Sequence, residues 1–226
     1  MADTPSSIPS ALPGVTMLQV GFDPDYVPYA RGLELQSQAV GRIDQGADRG
    51  TILLLEHEPV YTAGRRSEPG EHPVDGSPVV PVDRGGRVTW HGPGQLVCYP
   101  IVLLRRGAGV VDLVRALEAA IIETMAEYAL LGFRVDGRSG VWATHGEGPP
   151  AKVAQVGLHA RAGIVTHGIA INCCNDLAPF ATFVPCGIQD AGVTTLSALA
   201  GRRIAPAAVA PRLQARLAEA IAELVA

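Results

Sequence analysis

Lysine is almost absent from this chain: Lys152 stands alone against seventeen arginines. Arginine serves wherever a fixed charge or a planar fork is wanted, because its guanidinium stays protonated. An amine is needed where the group must lose a proton or present a compact ammonium. The scarcity marks Lys152 as a position of amine chemistry. The plainer alternative is that an arginine-biased chain left its last lysine on the solvated surface. Long hydrophobic runs are also missing. No stretch of about 18 apolar residues occurs, which excludes a transmembrane helix, so no membrane partner is expected. Met1 to Pro13, rich in Ser, Pro and Ala, lacks the basic-then-apolar order of a signal peptide and reads as a disordered tail (residues 1–13). Positive charge is not in excess either: a net charge of -4 argues against a nucleic-acid binder. The four cysteines, Cys98, Cys173, Cys174 and Cys186, form no C-x-x-C and no paired framework. That argues against a zinc site or a disulfide scaffold and fits free thiols in the cytoplasm.

What is present suits a globular domain spanning residues 14–226, with 47% apolar and 18% charged residues. Val15 to Val20 and Thr51 to Leu55 read as strands around a helix from Asp25 to Gln45. Residues 64–86 lack any period and read as a long loop. Arg87 to Thr89 and Leu96 to Leu104 read as strands broken by the turn His91-Gly92-Pro93-Gly94. The apolar stripe of Leu113, Leu117, Ile121 and Met125 predicts a helix from Val110 to Leu131, capped by Gly132. Short strands follow at Phe133 to Val135, Gly140 to Trp142, Lys152 to His159 and Ile164 to Asn172. A short helix is expected at Leu177 to Phe183 and an amphipathic one over 206–225. The pattern predicts an α+β fold, mixed β-sheets packed with helices.

Three segments combine glycine with a reactive side chain. Arg84-Gly85-Gly86-Arg87-Val88-Thr89-Trp90-His91-Gly92-Pro93-Gly94-Gln95 allows close approach of backbone to a ligand. Its alternation puts Thr89 and His91 on one face and Trp90 on the other. It does not match the dinucleotide fingerprint. Lys152-Val153-Ala154-Gln155-Val156-Gly157 opens an apolar strand with the lone amine, and alternation groups Lys152 with Ala154 and Val156. Partial burial there would make the amine a usable base. It is followed by Thr166-His167-Gly168-Ile169-Ala170-Ile171-Asn172. In Val184-Pro185-Cys186-Gly187-Ile188, Pro185 fixes the approach and Gly187 leaves the following amide unobstructed, a setting suited to a nucleophile. Cys98 reads as a core residue, and the adjacent Cys173 and Cys174 cannot both point inward. A Cys-His pair using His91 or His167 is an open alternative.

In this order the segments resemble the lipoyl(octanoyl) transferase family, whose pattern runs R-G-G-x-x-T-x-H-G-P-G-Q, K-[IV]-A-x-[IVL]-G, H-G-[FIL]-A-[IL]-N and [VI]-P-C-G-I. The resemblance covers about Val15 to Leu199. Gln155 stands where the family often has a small residue, and Trp90 where tyrosine is frequent. The resemblance implies the fold of the biotin/lipoate protein ligase catalytic domain. It also implies transfer of an octanoyl group from octanoyl-acyl carrier protein, through a cysteine thioester, to a lysine on a lipoyl domain, the first step of endogenous lipoate synthesis. The acceptors would be lipoyl domains of 2-oxoacid dehydrogenase complexes and the glycine cleavage H protein. Cys186 matches the family's nucleophile and Lys152 its paired amine. Arg84, Gly85, Gly86, Arg87, Val88, Thr89, Trp90 and His91 match substrate-binding stretches, as do Gln155, Val156 and Gly157, and His167, Gly168, Ile169 and Ala170. No metal or cofactor is implied, and a cytoplasmic monomer is expected. Arg65-Arg66 and Arg105-Arg106 are candidate contacts for an acidic carrier, or simply solvated arginines.

The residues suit that chemistry. Only thiolate attacks, and a nearby ammonium stabilises it. In the second half-reaction the acceptor amine must shed a proton, which a neutral lysine can take and arginine cannot. The rival readings are an ATP-dependent lipoate or biotin ligase and a non-catalytic lipoyl-domain binding protein. Neither requires the P-C-G cysteine.

Overall fold

The computed structural model describes residues 6–8, 12–183 and 191–226. Among these, eight strands form one mixed sheet. In spatial order they are β1 (Ser6–Ile8), β2 (Val15–Gly21), β3 (Gly50–Leu55), β7 (Gln95–Val102), β11 (Ile164–Asn172), β10 (Ala151–Arg161), β9 (Arg138–Ala143) and β8 (Phe133–Val135). A small sheet has the order β5 (Val79–Pro81), β4 (Val60–Ala63), β6 (Val88–His91). In the large sheet β2 and β3 are parallel, which requires a crossover, and helix α1 (Tyr29–Asp44) supplies it. The other neighbours are antiparallel.

Both faces of the sheet are covered, and strand alternation assigns the residues. On β7, Leu96, Cys98 and Val102 join the cluster beneath α2 (Val110–Ala126) and α4 (Pro206–Ile221). Val97, Tyr99 and Ile101 point to the opposite face, against Leu35, Ala39 and Ile43 of α1. The α2 stripe of Leu113, Leu117, Ile121 and Met125 is fully buried. Each such side chain is worth about 1.5–3 kcal/mol. Among the described residues no helix is long and apolar enough to cross a membrane.

Several elements differ from expectation. Helix α2 stops at Ala126, not Leu131. Ala129 adopts a left-handed conformation (φ 59), with Ala129 N–H donating to Ala126 O and Leu130 N–H to Met125 O. This Schellman pairing closes the helix before Gly132. The long loop over 64–86 contains β5, which pairs parallel to β4. β4 is too short, and α3 (Leu196–Ala200) likewise, to leave a periodic signal. The turn at Ala178–Ala181 is 3-10, not α. Ser6–Ile8, inside the segment expected as a tail, pairs with β2.

Candidate active site

A cleft opens where the start of α1 and the small sheet meet the α1-facing side of β7, β10 and β11. Its walls are Arg84, Gly85, Gly86 and Arg87, then Thr89 and His91 of β6, Gln155, Val156 and Gly157 of β10, and His167, Gly168, Ile169 and Ala170 of β11. The glycine-rich loop and the stretches 155–157 and 167–170 thus line one space. Val88 and Trp90 do not join them. β6 alternates, so these two turn to the hydrophobic cluster holding Phe180 and Phe183. Tyr29 and Tyr99 also line the cleft. Tyr29 falls in the expected helix over 25–45 and Tyr99 in the expected strand over 96–104, where an aromatic carries no signal of which end meets a ligand.

The protein itself engages both arginines of the cleft, Arg84 through four hydrogen bonds and Arg87 through an ion pair. Arg84 is buried; its Nη2 donates to Thr62 O (2.8 Å) and Thr62 Oγ1 (2.7 Å), and its Nη1 to Arg87 O (2.8 Å) and Gly85 O (3.1 Å). It splints the glycine-rich loop. Arg87 is paired with Glu71 and lies 3.7 Å from Glu68. Asp83 latches the same loop to the sheet, 2.7 Å from His167 Nε2 and 3.6 Å from His159 Nε2. Burial opposes ionisation of Asp83, but the hydrogen bond from His167 and the two imidazoles hold its carboxyl below the ordinary value. His167 has a left-handed backbone (φ 58), and its N–H donates to Gln36 Oε1 at 2.7 Å.

Two further histidines are buried deeply enough to stay neutral. His57 Nδ1 lies 2.7 Å from Val27 O, so it carries the proton, and Tyr99 O–H therefore donates to His57 Nε2 (2.7 Å). Burial lowers His57 to about 4, against the raising effect of the Val27 carbonyl. His91 is lowered to about 3, first by burial and then by neighbouring His57. Between about pH 6.5 and pH 4 the unfolded chain therefore binds protons that the folded chain refuses. Stability rises with pH across that window and is lost on acidification. The expected loss is about 2 kcal/mol for each histidine between pH 6.5 and pH 5. Urea denaturation at several pH values checks this; a flat profile there means that the folded protein protonates these rings.

Lys152 is buried, 6% exposed. The sequence expectation grouped it with Ala154 and Val156, but a β-bulge corrects this. Lys152 pairs with Trp142 and Ala154 with Val141, so Val153 is an extra residue in β10. Val153 and Ala154 both join the α2-side cluster, and the alternation shifts phase there. Trp142 lies between Val141 and Ala143, which face α2, so it and its partner Lys152 occupy the other face, with Gln155 and Gly157. Lys152 Nζ sits over the Trp142 ring at 5.2 Å. Gly140 makes room for the stem: its φ is +113, and a Cβ there would lie 2.8 Å from Lys152 Cε and 2.3 Å from Ala154 O. Among the described residues no carboxylate pairs with the amine.

The backbone of Lys152 is clamped by a distant segment. Lys152 N–H donates to Gly192 O (2.9 Å) and Thr194 N–H to Lys152 O (3.0 Å). Cys186, with its Pro185 and Gly187, lies outside the described residues. The three described cysteines are poor nucleophiles. Cys98 and Cys173 are fully buried, and burial pushes their thiols, and that of half-buried Cys174, above the ordinary range.

This arrangement of sheets and helices is that of the lipoate-protein ligases. A lipoate-protein ligase A bound with ATP superposes with a TM-score of 0.66 at 13% identity, covering 91% of this chain and 84% of that one. A bipartite lipoate protein ligase from Thermoplasma acidophilum gives 0.65 at 13% identity, over 87% of this chain and 82% of that one. Sequence likeness is closer. The model of the lipoyl protein ligase A/B catalytic domain matches residues 28–218. A protein named octanoyltransferase from Paenarthrobacter aurescens (strain TC1) is 49% identical, covering 86% of this chain and 88% of its own length. Another from Mycolicibacterium smegmatis is 46% identical over 96% of this chain and 93% of its own. The chain belongs to the lipoyl protein ligase A/B catalytic domain family.

Proposed function

We propose that this chain is an octanoyltransferase. It moves an octanoyl group from octanoyl-acyl carrier protein to the ε-amine of a lysine on a lipoyl domain, through a thioester on Cys186 with Lys152 as proton carrier. The observation that carries this reading is the clamp on buried Lys152. The segment that follows Cys186 in the chain is hydrogen-bonded to both the N–H and the C=O of Lys152, on the strand that carries Gln155 and Gly157 into the cleft wall. The acyl chain takes the cleft, whose walls include Ala170, Tyr29 and Tyr99.

The reaction balances with one shuttled proton. The Cys186 thiolate, stabilised by the Lys152 ammonium, attacks the carrier thioester. A C–S bond forms, the old one breaks, and Lys152 protonates the departing carrier thiolate. The incoming neutral amine then attacks the acyl-cysteine. The C–N bond forms, the C–S bond breaks, the Cys186 thiolate returns, and the displaced amine proton goes to Lys152. Thiolate and ammonium are regenerated together.

Incubation with octanoyl-carrier protein should add one octanoyl mass to Cys186, and the adduct should be discharged by a lipoyl domain without ATP. Cys186→Ser should show no thioester. An adduct on Cys174 would overturn the assignment of Cys186, and turnover that needs free octanoate and ATP would overturn the reading in favour of a ligase.

A further inference from the structure

Gln95 and Asn172 end two of the glycine-bearing motifs, are both fully buried, and touch each other. Gln95 Nε2 donates to Asn172 Oδ1 at 2.9 Å. Backbone carbonyls fix the orientation at both ends. Asn172 Nδ2 donates to Thr194 O (3.2 Å), which leaves Oδ1 to accept from Gln95. Gln95 Nε2 also donates to Trp90 O (3.3 Å), which leaves Gln95 Oε1 as an acceptor 2.8 Å from His91 Nδ1. His91 must then carry its proton on Nδ1. Its other nitrogen, Nε2, makes no hydrogen bond among the described residues, and the ring lines the cleft. The same chain runs on to the backbone of Lys152: Thr194, whose carbonyl accepts from Asn172, donates its N–H to Lys152 O.

We propose that Gln95 and Asn172 are positioning residues for acyl transfer. They hold His91 as the Nδ1–H tautomer, so that Nε2 accepts a hydrogen bond from the attacking amine, and they tether Thr194 to the strand of Lys152. This rests on the function proposed above. The groups facing His91 are Tyr29 of α1, stacked at 6.2 Å, His57 at 5.9 Å, and the more distant charges of Arg84 and His167. None of these is a carboxylate. Burial lowers His91 to about 3, so the ring is neutral near pH 7 and too weak a base to remove the amine's proton. It orients the nucleophile, and Lys152 takes the proton.

Gln95→Glu separates these roles. A carboxylate on Nδ1 favours the imidazolium, whose Nε2 then carries a hydrogen and can no longer accept one. Acyl-adduct formation should change little. The transfer rate constant should fall about tenfold near pH 7, with KM for the lipoyl domain nearly unchanged, and recover as pH rises through the new imidazolium titration. Wild type should lack that recovery. A variant with wild-type rates and pH profile overturns the inference. ¹⁵N NMR of the wild-type ring supplies a test that depends on neither turnover nor the variant's folding. A proton on Nδ1 supports the clamp and a proton on Nε2 overturns it. A wild type that forms no acyl-enzyme defeats the transferase reading instead, while the ring spectrum still decides the tautomer.

Discussion

Lys152→Arg should still accept an octanoyl group from the carrier, yet lose about 10³-fold in transfer to the lipoyl domain, the scale of a lost acid–base group. The cation survives, so thiolate formation is supported. The proton exchange does not survive, because guanidinium does not release its proton. Space tells against arginine as well. The stem of Lys152 passes Gly140 where a single added carbon would sit 2.8 Å away, and the residue is 6% exposed. Adduct formation by intact mass and single-turnover discharge by a lipoyl domain read the two halves separately. Normal discharge in this variant would remove the proton-carrier role. Loss of both halves with an unchanged thermal midpoint would assign Lys152 to the first step alone.

Gly168→Ala should lower stability by about 3 kcal/mol or more, among the larger effects for one methyl group. The added carbon would lie 2.0 Å from Cys98 O and 2.8 Å from Pro100 Cδ, where two adjoining strands of the large sheet meet. Neither neighbour can move, because Cys98 is paired through β7 to both β11 and β3. For a domain of this size the thermal midpoint should drop by about 10 °C. A shift within about 2 °C would mean that β7 and β11 can separate at no cost. Substrate cannot rescue the loss, since the clash is with the backbone of β7.

Much of this was legible in the sequence. Strand periodicity and the α2 stripe located the main elements, because each buries one face and the period of burial is written in residue order. Glycine spacing identified the stretches that approach a ligand. The lone lysine pointed to amine chemistry before any contact was known. Other features were hidden because they depend on partners. The bulge at Val153 reverses the face of Lys152, and nothing local announces an extra residue in a ladder. Ala129 closes α2 in a conformation usually given to glycine. Arg84, read as a ligand contact, is largely engaged by Thr62 of β4 and by carbonyls of its own loop. Tyr99 and His57 fix one another's protons across 42 residues of sequence.

Read alone, the sequence establishes the fold class, the glycine-bearing stretches and Lys152 as the single amine of the chain. The tertiary structure decided which way those residues face, that Thr194 holds the lysine's strand, and that the motif-ending amides Gln95 and Asn172 meet. The reason is physical: periodicity and residue chemistry are local properties of the chain, whereas tautomer, strand phase and hydrogen-bond direction are set by atoms that sequence order keeps far apart.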